Sequence, residues 1–161
     1  MTKTPCQAVH NTSNEAETIA LAERFAAQLR PGDIVTIEGD LGAGKTRFVK
    51  GIAGGLGHDP SEVSSPTFAI AAEHHSPEGR CPLIHVDAYR LSPTDALEQL
   101  GIEETAHAIL VIEWASRLED ADDHLDITHR VVIEHTAPDS RRITISNLRP
   151  PNSAEALSSQ S

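Results

Sequence analysis

Apolar positions recur along the chain at two spacings that alternate. Ile19, Ala22, Ala26 and Leu29 stand three or four residues apart, which lines them up on one face of a helix. Thr12, Ser13 and Asn14 precede this stripe as candidate N-caps. Glu15 and Glu17 follow Thr12 and Asn14 by three residues as capping-box partners, and Pro31-Gly32 ends the helix. "DIVTIEG", residues 33–39, is by contrast a short continuous apolar run of strand type. From Lys45 the helical spacing returns in Phe48, Val49, Ile52, Ala53 and Leu56, closed by Gly57.

The same alternation continues. "TFAIAAEHH" (67–75) and "CPLIHVD" (81–87) read as strands separated by the turn-rich "SPEGR". Ser92 as N-cap, Pro93 at the first helical position and Gly101 as stop bracket a helix over 92–101. "AILVIEW" (108–114), the most apolar run, predicts a central strand. "HRVVIEHT" (129–136) and "RRITISNL" (141–148) flank "APDS" as an antiparallel hairpin, and the Pro/Ser-rich residues 150–161 are expected to form a disordered tail. There is no internal repeat. The fold class that follows is α/β: one domain over 1–149, its mixed sheet having a parallel core and a C-terminal antiparallel hairpin.

Composition narrows the function. A chain of 161 residues suits one domain able to bury a core without staples. With 13 Lys+Arg against 24 Asp+Glu, the net charge of -11 repels a polyanion, and no basic cluster offsets it. Autonomous nucleic-acid binding is therefore not expected, whereas docking on a basic partner protein is compatible. Cys6 and Cys81 form no CxxC, and no secretory apolar segment or membrane-length run is present, so the expectation is a cytoplasmic protein with reduced thiols.

The chemistry concentrates in "EGDLGAGKTRF", residues 38–48. Gly39-Asp40-Leu41-Gly42-Ala43-Gly44-Lys45-Thr46 fits G-x-x-x-x-G-K-[ST] in full, between a predicted strand and a predicted helix, so the single α/β domain is expected to be P-loop NTPase-like. Glycines let backbone N–H groups turn around phosphate oxygens, and the helix start adds partial positive charge. Lys45 would reach the β- and γ-phosphates of a nucleotide, Thr46 would offer its hydroxyl to Mg²⁺, and the backbone at Arg47 adds a further donor. A carboxylate that ends an apolar strand is costly unless it meets a cation or donors. Glu113 ends "AILVIE" in this way and Asp87 ends "LIHVD", so both are candidate metal or water ligands. His85 shares a face with Asp87, but H-x-D alone is a weak zinc signal and a hydrogen-bonding role is favoured. In "SSPTF", residues 64–68, Thr67 is the one plausible phosphate or metal contact. No N/T-K-x-D segment reads guanine, so adenine is expected.

Four motifs, "GDLGAGKT", "SPTF", "HVDAYRL" and "IEW", occur in the order and spacing of a known family, and the chain resembles the bacterial TsaE (YjeE) ATPases over nearly its whole length. The resemblance implies an ATPase component of the system that makes N6-threonylcarbamoyladenosine (t6A) in tRNA, hydrolysing ATP to reset a complex of TsaB and TsaD between turnovers. It further implies that Lys45 and Thr46 are the ATP/ADP and Mg²⁺ contacts and that Thr67 is a switch threonine. Asp87 becomes a catalytic or metal-binding acid, Glu113 the Walker B acid, and Trp114 a residue beside the site. The family commonly has a second threonine where this chain has Arg47. An ATP-sensing regulator without turnover and a small-molecule P-loop kinase remain alternatives; the kinase would need a basic lid, and none is evident.

Overall fold

A computed structural model describes residues 6–40, 42–63, 71–74, 81–90, 106–118 and 125–149. Its elements are β1 (Cys6–Thr12), α1 (Glu15–Ala26), β2 (Ile34–Gly39), α2 (Lys45–Gly55), β3 (Ala71–His74), β4 (Leu83–Asp87), β5 (Ile109–Glu113), β6 (His129–His135) and β7 (Arg141–Asn147). Among the described residues seven strands form one sheet in the order β1-β7-β6-β2-β5-β4-β3. β2 runs parallel to both β5 and β6, and β4 parallel to β5. The pairs β3–β4, β6–β7 and β1–β7 are antiparallel. The expected mixed sheet, with its parallel core and closing hairpin, is therefore present.

Alternation within the strands sends side chains to two apolar layers. Val35, Ile37, Val111, Val131 and Ile133 meet Leu21, Phe25, Phe48 and Ile52 of α1 and α2 on one face. Ile34, Val86, Leu110 and Ile112 meet Ala115, Leu118 and Leu125 on the other. Each fully buried large side chain contributes about 1.5–3 kcal/mol. The two helices touch through Gly51, where a Cβ would lie 2.4 Å from the Ala22 Cβ and 2.6 Å from the Ile19 carbonyl oxygen. Any larger residue there would push α1 and α2 apart.

Two expectations about α1 need correction. Its N-cap is Asn14, whose Oδ1 accepts from the Glu17 N–H at 2.9 Å, while Glu17 Oε2 accepts from the Ser13 N–H at 2.6 Å. Thr12 does not cap: it ends β1, buried, with its Oγ1 2.8 Å from Thr18 Oγ1. Glu15 is thus released from capping. β1 itself has no counterpart in the hydrophobic pattern, because most of its residues are exposed and it holds its place by pairing along β7. The helix predicted over 92–101 and the tail over 150–161 lie outside the described residues.

The parallel register decides where chemistry can occur. β2, β4 and β5 all end at one sheet edge, with Asp87 beside Glu113 and Glu113 beside Ile37. The glycine loop leaves β2 at that same edge, the place where open α/β sheets bind ligands.

Candidate functional site

The loop between β2 and α2 is built by backbone conformation. Gly42 and Gly44 have φ of 77° and 104°, in the left-handed region, and a Cβ on either would meet nothing within 4 Å. Conformation, not crowding, calls for glycine there. Gly44 N-caps α2 without supplying any side-chain oxygen, and no acid sits in the first turn, so the N–H groups at that helix start have no side-chain cap. Lys45 opens the helix and folds back. Its Nζ donates to the Gly39 and Asp40 carbonyls at 2.7 and 2.9 Å and lies 4.0 Å from the centre of the Trp114 ring. Burial lowers the Lys45 pKa, opposed by the charges of Glu113, Glu38, Asp40 and Asp87.

On the β4–β5 side of the loop, Glu113 is 2% exposed and Asp87 7%. The Thr46 hydroxyl donates to Glu113 Oε1 at 3.3 Å. Asp87 Oδ1 accepts from the Tyr89 N–H at 3.0 Å. His85 is fully buried with its Nε2 3.6 Å from Glu113 Oε1. Immediately after Glu113 the chain turns left-handed at Trp114, φ 61°, a conformation that costs a non-glycine residue about 1–2 kcal/mol. Glu38 holds the turn, accepting from Ser116 N–H at 2.7 Å and from its hydroxyl at 3.1 Å. The turn lays the indole beside Lys45, with the Tyr89 ring tilted against it at 5.2 Å between centres and Arg117 over Tyr89 at 4.2 Å.

On the other side, Arg141 at the start of β7 donates from Nε to the Ala43 carbonyl at 2.7 Å and from Nη1 to the Pro138 and Ser140 carbonyls at 3.0 Å. Arg47 pairs with Glu15 at 2.7 Å in the open. A pocket of about 600 Å³ runs between these two sides, from Asp87 and Glu113 across the loop to Glu15, Thr18, Asp139 and Arg141.

Comparison with known proteins decides what this arrangement belongs to. Residues 12–143 match the family described as Threonylcarbamoyl adenosine biosynthesis protein TsaE. The chain belongs to the TsaE family. It is 43% identical over 135 residues to the tRNA threonylcarbamoyladenosine biosynthesis protein TsaE of Bacillus subtilis (strain 168), spanning 83% of this chain and 81% of that protein. The Streptomyces coelicolor TsaE is 39% identical over 132 residues, spanning 80% and 88%. The crystal structure of Bacillus subtilis YdiB matches with a TM-score of 0.69 at 32% identity, covering 99% of this chain and 95% of that one. The family's place is tRNA threonylcarbamoyladenosine biosynthesis. No helix among the described residues is long and apolar enough to cross a membrane.

Within this TsaE-family chain, Gly42, Ala43, Gly44, Lys45, Thr46, Arg47, Asp87, Glu113 and Trp114 come together around the pocket. Gly39 and Asp40 serve through their carbonyls, and the Arg47 side chain is engaged by Glu15. Leu41 and Thr67 lie outside the described residues. Tyr89, Asp139, Arg141 and Thr18 line the pocket without having been singled out in the sequence, and so does Glu15, which the sequence offers only as a capping acid. Tyr89 had a signal, being in "HVDAYR"; Arg141 had none short of knowing how the hairpin docks. Among the described residues no group of three or more His, Cys, Asp or Glu side chains could hold a metal. Thr46 Oγ1 with Glu113 and Asp87 is instead a partial oxygen set. It suits a hard cation that keeps several waters and takes its remaining ligands from a phosphate chain.

Proposed function

We propose that this chain is the Mg²⁺-dependent ATPase component of the t6A system in the cytoplasm, hydrolysing ATP to drive turnover of a TsaB–TsaD complex. The observation that carries the reading is the meeting, in one pocket, of an uncapped helix start, a lysine hydrogen-bonded to two neutral carbonyls against an indole face, and the oxygen set of Thr46, Glu113 and Asp87. Carbonyl oxygens are weaker partners for an ammonium than phosphate oxygens, so Lys45 would exchange Gly39 and Asp40 for the phosphate chain. Trp114 would keep water from the lysine on the far side. Thr46 and Glu113 would hold Mg²⁺, which when bound neutralises charge developing on the phosphates. Asp87 has one oxygen tied to the Tyr89 N–H, leaving the other to orient a water or a cation-bound water.

The chain shows no basic surface run for tRNA, and a net charge of -11 favours docking beside a basic partner over binding RNA itself. Basal hydrolysis is therefore expected to be slow and to rise when TsaB and TsaD are added, in a salt-sensitive complex. ATP hydrolysis and t6A formation measured with the purified proteins test this, with Lys45→Ala as the control that loses nucleotide affinity by about a hundredfold and abolishes multiple turnover. Nucleotide binding without turnover under any condition would leave a sensor. Phosphate passed to a small acceptor would make the chain a kinase, and preference for GTP would overturn the adenine assignment.

A further inference from the structure

His85 occupies β4 in register with Val111 of β5, between the apolar Ile84 and Val86 and two residues before Asp87. The ring is fully buried, and neither nitrogen has a hydrogen-bond partner among the described residues. A buried polar group left unpaired costs about 1–3 kcal/mol, which an apolar residue of similar size would avoid. The ring approaches Glu113: its Nε2 is 3.6 Å from Glu113 Oε1, a few tenths of an ångström beyond a hydrogen bond. The same oxygen receives the Thr46 hydroxyl at 3.3 Å, itself a long contact. A hydroxyl and a ring nitrogen thus converge loosely on one carboxylate oxygen at the pocket floor.

We propose that His85 is a positioning residue that orients the Glu113 carboxylate toward Thr46 and a bound cation, a role that rests on the Mg²⁺ site proposed above. A neutral imidazole with its proton on Nε2 donates to Oε1 once the carboxylate moves by less than an ångström. That bond fixes the rotation of the carboxylate and spends the otherwise unpaired donor. Residues that hold a metal-binding carboxylate in this way typically change metal affinity by 10–100-fold when removed. His85 touches neither nucleotide nor water in this scheme, so it acts through Glu113 alone.

The test is calorimetric titration of ADP into wild type, His85→Leu, His85→Asn and His85→Gln, with EDTA and across a Mg²⁺ series. Affinity in EDTA is expected to agree within about twofold for all four proteins, since no phosphate contact changes. The Mg²⁺ concentration giving half of the cation-dependent gain should rise about tenfold in His85→Leu and His85→Asn. It should return most of the way in His85→Gln, whose amide nitrogen can take the place of Nε2. Wild-type Mg²⁺ dependence in folded His85→Leu and His85→Asn would make the ring mere core filling and overturn the proposal. Should His85→Leu fail to fold, the difference between Asn and Gln decides, and equal behaviour of those two overturns it. If wild-type affinity itself is indifferent to Mg²⁺, the site reading falls and this inference with it.

Discussion

The two sides of the glycine loop are made on different principles. Asp87, Glu113 and His85 lie at the ends of central parallel strands, buried, their spacing set by main-chain register. Glu15, Arg47 and Asp139 come from the first turns of α1 and α2 and the tip of a hairpin, and all three are exposed. A buried carboxylate keeps its charge only against a specific partner, so its position is tied to chemistry. An exposed pair is screened by water and contributes little beyond shape. On the function proposed above, catalysis would fall to the β4–β5 side and the framing of the ligand to the other.

The largest effect should follow from breaking the buried side. Glu113→Ala and Asp87→Ala are expected to keep nucleotide while partner-stimulated hydrolysis falls by about a hundredfold or more, equivalent to about 3 kcal/mol of transition-state stabilisation. Single-turnover hydrolysis beside calorimetric affinity separates the two terms. Equal loss of binding and rate would mean that the acids shape the pocket instead of the reaction.

How far the sequence reveals the site follows the same division. Asp87 and Glu113 stand out because a carboxylate closing an apolar run is rare, and Lys45 and Thr46 because their motif sits between strand and helix. Such signals are local. Arg141 reaches Ala43 from 98 residues away, through a hairpin whose docking depends on strand order, and no short window contains that fact. β1 escapes for a related reason: its exposed residues have no apolar alternation, and its pairing with β7 joins the two ends of the domain. Glu15, placed at a helix start, reads as a capping acid until the fold brings Arg47 beside it.

A second prediction concerns the frame. His129 of β6 is fully buried, edge-on to Phe25 at 5.4 Å, with Nδ1 sharing a hydrogen bond with Thr128 Oγ1 at 2.9 Å. Burial, helped by the charge of Arg30, lowers its pKa from 6.5 to about 4. The unfolded chain therefore takes up a proton that the folded one refuses. Stability from this group is fully present above pH 6.5 and is lost as pH falls toward 4, by about 3 kcal/mol in total. Denaturant unfolding of wild type and His129→Leu at pH 7.5, 6 and 5 should show the gap between them shifting in favour of the variant by up to about 2 kcal/mol on acidification. A gap that stays constant with pH would mean that the ring titrates normally.

The smallest effects are expected where the exposed side meets the loop, and two arginines there divide the question. Arg141 braces the loop by donating to the Ala43 carbonyl, and it holds its own turn through the Pro138 and Ser140 carbonyls. Removing a hydrogen bond from a charged donor typically costs about 1.5–3 kcal/mol when its partner is left dry, and less where water can replace it. Arg141 is half-buried at the pocket wall, so Arg141→Ala should weaken nucleotide binding by about five- to tenfold, roughly 1 kcal/mol. Its maximal hydrolysis rate should stay within about twofold, because nothing it touches belongs to the acids. Among the described residues Arg47 makes only the exposed pair with Glu15, at 47% and 57% side-chain exposure. Arg47→Thr should therefore change affinity by less than about twofold. Calorimetry on both variants at low and moderate salt measures the difference. If Arg47→Thr proved as damaging as Arg141→Ala, the Arg47 side chain would have to leave Glu15 for the ligand, and the outer side would be a binding surface in its own right.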